Sequence, residues 1–208
     1  MKHYRVIIYR VILLVYMIAM TYYPTPFSFM ALNVFLAWLP IEFGWLTLCV
    51  QGKLRYVLGG LWLLFFPNIP YLLTDLLHLE ALNIYRRGGL FQNIPKEWLF
   101  FLLLVVPVIV MVTVGMNQVF RLVKQLPDAK RLSWLYFIIL AFLAGTAIYI
   151  GRFDRIHSIE LILQPISTLR LLLGNWDMEK LQFVPIFMII QLIIWQLLKE
   201  ITQRKIED

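Results

Sequence analysis

The chain has 208 residues, of which 61% are hydrophobic and only 15% are charged, and its mean hydropathy is +0.77. Water-soluble domains carry about 45–50% apolar and about 25% charged residues. A soluble fold of this size could not cover so much apolar surface, whereas lipid solvates the outer faces of membrane helices. The composition therefore excludes an ordinary soluble domain and predicts an integral membrane protein.

The formal net charge of +7 would suggest nucleic acid as the partner of a soluble protein. Here the basic residues lie mainly between apolar segments, so membrane topology explains them and no nucleic acid is predicted. Membrane lipids are the expected partners, and another membrane protein is a further candidate. The single cysteine, Cys49, excludes an intrachain disulfide.

Six apolar segments have roughly the 20 residues that a membrane-spanning helix needs. They predict an all-α bundle that forms one integral membrane domain over residues 1–208. The start is basic and then apolar, as in a signal peptide, but "MTYYPTP" lacks the small residues of a cleavage site. We therefore expect a retained first helix, and the predicted spans are residues 4–23, 26–50, 55–79, 98–120, 132–151 and 181–198.

The basic residues are distributed unequally between the two ends of these spans. Because lysine and arginine collect on the cytoplasmic side, the richer end predicts that both termini are cytoplasmic. That end carries Lys2, Arg5, Arg10, Lys53, Arg55, Arg121, Lys124, Lys130, Arg131, Lys199, Arg204 and Lys205. The other end carries Arg86, Arg87, Lys96, Arg152, Arg155, Arg170 and Lys180.

Two longer connections, residues 80–97 and 152–180, then lie on the extracytoplasmic side. The second contains an apolar stretch that Pro165 interrupts, and Ser167 or Thr168 is suited to cap a short helix after it. This stretch predicts an interfacial or re-entrant helix rather than a further span.

The third predicted span contains two prolines three residues apart, in "LWLLFFPNIPYLLTDLLHL". Each proline removes a backbone donor and disfavours helix for the residue before it. Pro67 and Pro70 therefore predict a kink or break whose freed carbonyls need partners inside the protein or in a water-filled cavity. Asn68, between the two prolines, could supply its amide.

Polar residues follow this break at spacings of three, four and three: Asn68, Tyr71, Asp75 and His78. Residues at these spacings share one face of a helix, and lipid is a poor solvent for such a face. We therefore expect the four side chains to point into the bundle, with Asp75 and His78 near the extracytoplasmic end.

The second span adds Asn33 in its outer half and Glu42 deeper. An ionisable residue within a span marks a functional site by default. The alternative is that Glu42 bonds to a neighbouring helix or reaches the interface.

The fifth span ends with Thr146, Tyr149 and Arg152, which are spaced by three and are predicted to share a face. If the third and fifth spans are neighbours, Arg152 lies at about the depth of Asp75. We predict that the Asp75 carboxylate lies within hydrogen-bonding reach of the guanidinium of Arg152 or Arg155. Such a pair is either structural or part of a functional site.

No motif for nucleotide or cofactor chemistry is present. The sequence has no Walker motif, Gly-rich dinucleotide loop or nucleophile elbow, so no cofactor is predicted. Its three histidines, at positions 3, 78 and 157, have no zinc-site spacing, so no metal is predicted.

The segments "LWLLFFPNIPYLLTDLLHL" and "IYIGRFDRIHS" together resemble a family of bacterial integral membrane proteins of unknown function, over most of the chain. The resemblance implies a bacterial plasma membrane protein but no particular activity. Family members resemble this chain at Asn33, Pro40, Phe66 to Tyr71, Thr74, Asp75, His78 and Gly151 to Phe153. After Gly-Arg-Phe they tend to read Arg-Trp-Asn-Ser-Trp-Asp, where residues 155–160 of this chain read Arg-Ile-His-Ser-Ile-Glu.

Three functional hypotheses follow. The first is an accessory or binding protein with a polar extracytoplasmic pocket for a small ligand, a lipid head group or a partner protein. The second is an intramembrane enzyme that acts on a lipid-linked or envelope substrate, with Asp75 or His78 as acid or base. The third is a small transporter. The candidate ligand-binding residues are Asn33, Asn68, Tyr71, Asp75, His78, Tyr149, Arg152 and Arg155.

Overall fold

A computed structural model describes residues 2–85, 91, 93–154, 163–164, 166–167, 170, 172, 174 and 176–207. The described part is helical, as predicted. Its helices are α1 (Lys2–Tyr22), α2 (Met30–Cys49), α3 (Lys53–Phe65), α4 (Asn68–Asp75), α5 (Pro95–Val123), α6 (Ala129–Tyr149) and α7 (Met178–Glu207). A 3₁₀ helix (Leu76–Ala81) extends α4, and a π-helical turn (Ile150–Asp154) extends α6.

Five stretches of the described chain are long and apolar enough to cross a membrane: Met30–Cys49, Lys53–Ala81, Pro95–Val123, Ala129–Asp154 and Met178–Thr202. They correspond to the second to sixth predicted spans. The first predicted span forms α1, whose apolar part, Val6–Tyr22, is shorter than the other five. This apolar part is about 25 Å long, whereas the hydrocarbon core of a bilayer is about 30 Å thick.

The bundle is organised around α2 and α5. Helix α2 packs on α1, α3, α4 and α5, while α6 packs mainly on α7 and also touches α4. Close approach depends on glycine: a Cβ on Gly115 of α5 would lie 2.4 Å from Ile69 of α4, and one on Gly145 of α6 would lie 3.3 Å from the Val184 carbonyl of α7. Small residues allow membrane helices to pack at such short distances.

The predicted break in the third span separates α3 from α4. Because Pro70 has no N–H, the Phe66 carbonyl accepts from the Ile69 N–H instead, at 3.0 Å. The Phe65 carbonyl accepts from the Asn68 side-chain amide at 2.9 Å. The break is therefore confirmed, and the side chain that was predicted to satisfy a freed carbonyl does so.

The π-helical turn at the end of α6 coincides with the Gly-Arg-Phe motif. A π-turn closes i→i+5 hydrogen bonds, so it holds more residues than an α-helical turn. Residues three apart therefore no longer lie on one face here. This turn changes the direction of Arg152 relative to Tyr149.

Several predictions fall on residues outside the described part of the chain. They include Arg155, the basic pair Arg86 and Arg87, and most of the stretch that was predicted to form an interfacial or re-entrant helix.

Candidate functional site

A polar cluster lies where α2, the end of α4 and the π-turn after α6 meet. At its centre Asp75 has no exposed surface. Its Oδ2 accepts from the Asn33 side-chain amide at 2.8 Å, and its Oδ1 lies 3.4 Å from Arg152 Nη1. The predicted pairing of Asp75 with Arg152 is therefore confirmed. The amide of Asn33 on α2 therefore supplies a second hydrogen bond, which a buried carboxylate needs to offset its loss of hydration.

Arg152 makes many contacts in this cluster, but most of them are long. Its Nη1 also lies 3.4 Å from the Tyr71 hydroxyl, and its Nη2 lies 3.5 Å from the Thr74 carbonyl. N–H···O bonds usually measure 2.7–3.2 Å. The side chain of Arg152 keeps 22% of its surface exposed. Its guanidinium is thus held in place with donors that are not tightly engaged.

The shortest contact of Arg152 is with His78, whose Nε2 lies 3.0 Å from Nη2. A guanidinium only donates, so this distance requires an unprotonated Nε2 that accepts. The His78 ring also lies against Phe29, with 4.6 Å between ring centroids. The ring of Tyr71 lies beneath the guanidinium of Arg152. The guanidinium carbon is 5.8 Å from the centroid of this ring.

The pair formed by Glu42 and Arg10 provides a contrast within the same chain. Arg10 Nε donates to Glu42 Oε1 at 2.9 Å, and Nη2 donates to Oε2 at 2.5 Å. Trp38 Nε1 donates to the same carboxylate at 2.9 Å. This fork-to-fork pair engages both groups fully. Glu42 therefore bonds to a neighbouring helix, which was the structural alternative for this residue.

Tyr149 does not join Arg152 in the Asp75 cluster, although their spacing predicted a shared face. Its hydroxyl lies 3.4 Å from Asp177 Oδ1, and its ring packs against Phe183 of α7. The prediction that Tyr149 and Arg152 share a face is wrong, because the π-turn begins between them. Thr146 is buried and bonds back to the Phe142 carbonyl.

A second polar group around Tyr149 was not singled out from the sequence. Lys180 of α7 has only 2% of its surface exposed, and its ammonium donates to the Gly174 carbonyl at 3.2 Å. It also lies 4.9 Å from the Trp176 ring centroid. The position of Lys180 at the start of a span, after an acidic residue, was the sequence feature that could have identified it.

Asn68, another candidate ligand-binding residue, takes part in the helix break, where its amide donates to the Phe65 carbonyl.

Polar side chains that follow the break in the third span meet those of the second span and of the π-turn in space. Tyr71, Asp75 and His78 follow the break on α4, Arg152 lies in the π-turn, and Asn33 joins them from α2. Both irregular helix segments thus bring polar side chains to one buried point. The fold and this cluster define a polytopic helical membrane protein with an ion pair at its interior.

A family model described as "Protein of unknown function (DUF1361)" matches residues 32–194. The match covers most of the chain, so the protein belongs to this family. No curated protein and no solved structure matches the chain.

Proposed function

We propose that this protein is a binding protein of the bacterial plasma membrane whose Asp75–Arg152 cluster holds an anionic group, either a small ligand or a lipid head group. The observation that carries this proposal is the state of Arg152. Its guanidinium is partly exposed, and its contacts to oxygen are 3.4 Å or longer. An incoming carboxylate or phosphate would shorten these bonds to a charge-assisted length of about 2.8 Å.

The geometry favours binding over catalysis. A catalytic acid or base must reach its substrate within hydrogen-bonding distance. Asp75 has no exposed surface and is already bonded to Asn33, so its role is to position Arg152. His78 is the member of the cluster that an enzyme would use, because it is half-buried rather than buried. The Nε2 of His78 is, however, already directed at Arg152.

Six spans with both termini in the cytoplasm are part of this proposal, because they put the cluster on the extracytoplasmic side. The unequal distribution of lysine and arginine supports this orientation. We expect a reporter that is active only in the cytoplasm to be active when it is fused after Asp208. If only a reporter that is active outside the cytoplasm works at this position, the orientation is contradicted and the cluster lies on the cytoplasmic side.

The binding proposal is tested by replacing Arg152 in protein reconstituted in nanodiscs. Arg152→Gln should weaken binding of the anion at least about tenfold, since it removes charge-assisted hydrogen bonds. Arg152→Lys should recover only part of the affinity, because an ammonium lacks the planar fork. The probes are inorganic phosphate, glycerol phosphate and nanodiscs with or without phosphatidylglycerol, followed by calorimetry or a shift in melting temperature.

Lys96→Gln is the matched control, because it removes a basic residue that belongs to α5 and not to the cluster. Binding of the soluble phosphates would identify a small ligand, and a response to phosphatidylglycerol alone would identify a lipid head group. Equal effects of Arg152→Gln and Lys96→Gln on every probe would exclude the cluster as a binding site.

A further inference from the structure

A second feature lies at the opposite end of the bundle, independent of the Asp75 cluster. A groove of about 680 Å³ runs between α3 and α6, and the connection after α5 closes one end of it. It extends from Arg55 in the first turn of α3 to Leu63 near its end. This distance of about 12 Å is close to the thickness of the hydrocarbon region of one leaflet, about 15 Å.

The walls of the groove are largely apolar, and they open towards the lipid-facing surface. Leu63, Ile139 and Leu143 line it and are 45%, 46% and 40% exposed. In a bilayer these surfaces contact hydrocarbon, because no water is present at this depth to fill a lateral groove. The interior of the groove therefore suits an acyl chain.

The mouth of the groove is polar and basic. Arg55 lies there and donates to the side-chain oxygen of Gln125, which follows α5. Lys124 is adjacent in sequence, and none of the described residues that line the groove is acidic. A basic group beside a membrane surface attracts anionic lipid head groups. The charge at the mouth thus complements a phosphate, and the walls complement the chain attached to it.

We infer that this groove binds one acyl chain of an anionic phospholipid, with the lipid phosphate at Arg55. The lipid fills the space between α3 and α6, which are joined to the rest of the bundle mainly through α2 and α7. It acts as a bound lipid that belongs to the structure, not as bulk solvent.

Two neighbouring glycines offer a matched pair of substitutions. Gly59 lines the groove, and a Cβ there would lie 3.8 Å from its nearest neighbour, Thr47, so Gly59→Leu fits and fills the groove. Gly60 is exposed with nothing within 4 Å, so Gly60→Leu adds the same side chain outside the groove. Leu143→Trp fills the groove from the opposite wall.

Native mass spectrometry of the detergent-purified protein measures binding of phosphatidylglycerol and phosphatidylcholine with identical acyl chains. Wild type should prefer phosphatidylglycerol, and Arg55→Gln should reduce that preference about fivefold, the contribution of one basic residue. Gly59→Leu and Leu143→Trp should each reduce binding of both lipids, whereas Gly60→Leu should not.

Three results would overturn the inference. Equal binding of both lipids by wild type would exclude a head-group site at Arg55. Equal lipid binding by Gly59→Leu and Gly60→Leu would exclude the groove. A wild-type dimer that Gly59→Leu converts to monomer would assign the groove to a second copy of the chain. If Gly59→Leu fails to fold, Leu143→Trp decides between these outcomes.

Discussion

Asp75→Ala is expected to lower the free energy of unfolding by about 3 kcal/mol, the usual cost of removing one partner of a buried ion pair. The substitution leaves the Arg152 guanidinium without its carboxylate and leaves the Asn33 amide without its acceptor. The Asn33 amide would lose its acceptor at 2.8 Å and the partly exposed guanidinium its counter-charge, beside the fully buried position that Asp75 occupies. Unfolding by sodium dodecyl sulfate in mixed micelles, followed by circular dichroism, measures the loss.

Asp75→Asn is the matched control for shape, because it retains an oxygen that can accept from Asn33 and removes only the charge. It should destabilise less than Asp75→Ala. Combined with Arg152→Gln, it should cost less than the sum of the two single substitutions by more than about 0.5 kcal/mol, the limit of simple additivity. Additive effects would show that the pair, although close, contributes no coupling energy.

Glu42→Ala is expected to destabilise the protein by about 2 kcal/mol, although the two side chains in this pair are 36% and 25% exposed. In a soluble protein, a pair with this exposure would contribute little. Here Arg10 lies within α1, about 12 Å from its first residue, so the exposed surface faces lipid or the interface. An unpaired guanidinium at that depth is costly.

The charge-free double substitution distinguishes pairing from packing. Arg10→Leu combined with Glu42→Leu removes both charges and should restore most of the stability, because apolar replacements of an ion pair are often neutral. Detergent unfolding and the level of membrane insertion are the measurements. A double variant as unstable as Glu42→Ala would mean that the packing of these side chains, and not their charge, holds α1 to α2.

The meeting of polar side chains could be predicted from the sequence where it depended on the spacing of residues within one helix. Tyr71, Asp75 and His78 are spaced so that they share a face, and that face does point to Arg152. The same spacing rule failed for Tyr149 and Arg152. The π-turn that separates them is a local change in the number of residues per turn, which no spacing rule for an α-helix includes.

The sequence by itself determined the class of protein, the helices and the break at Pro67 and Pro70, because these depend on local chemistry: apolar length and missing backbone donors. Only the tertiary structure decided that Arg10 binds Glu42, that Tyr149 turns to α7, and that α3 and α6 leave a groove. Those outcomes depend on how helices are rotated and how closely they approach. Composition and periodicity specify which face is polar, but they do not specify which neighbour that face meets.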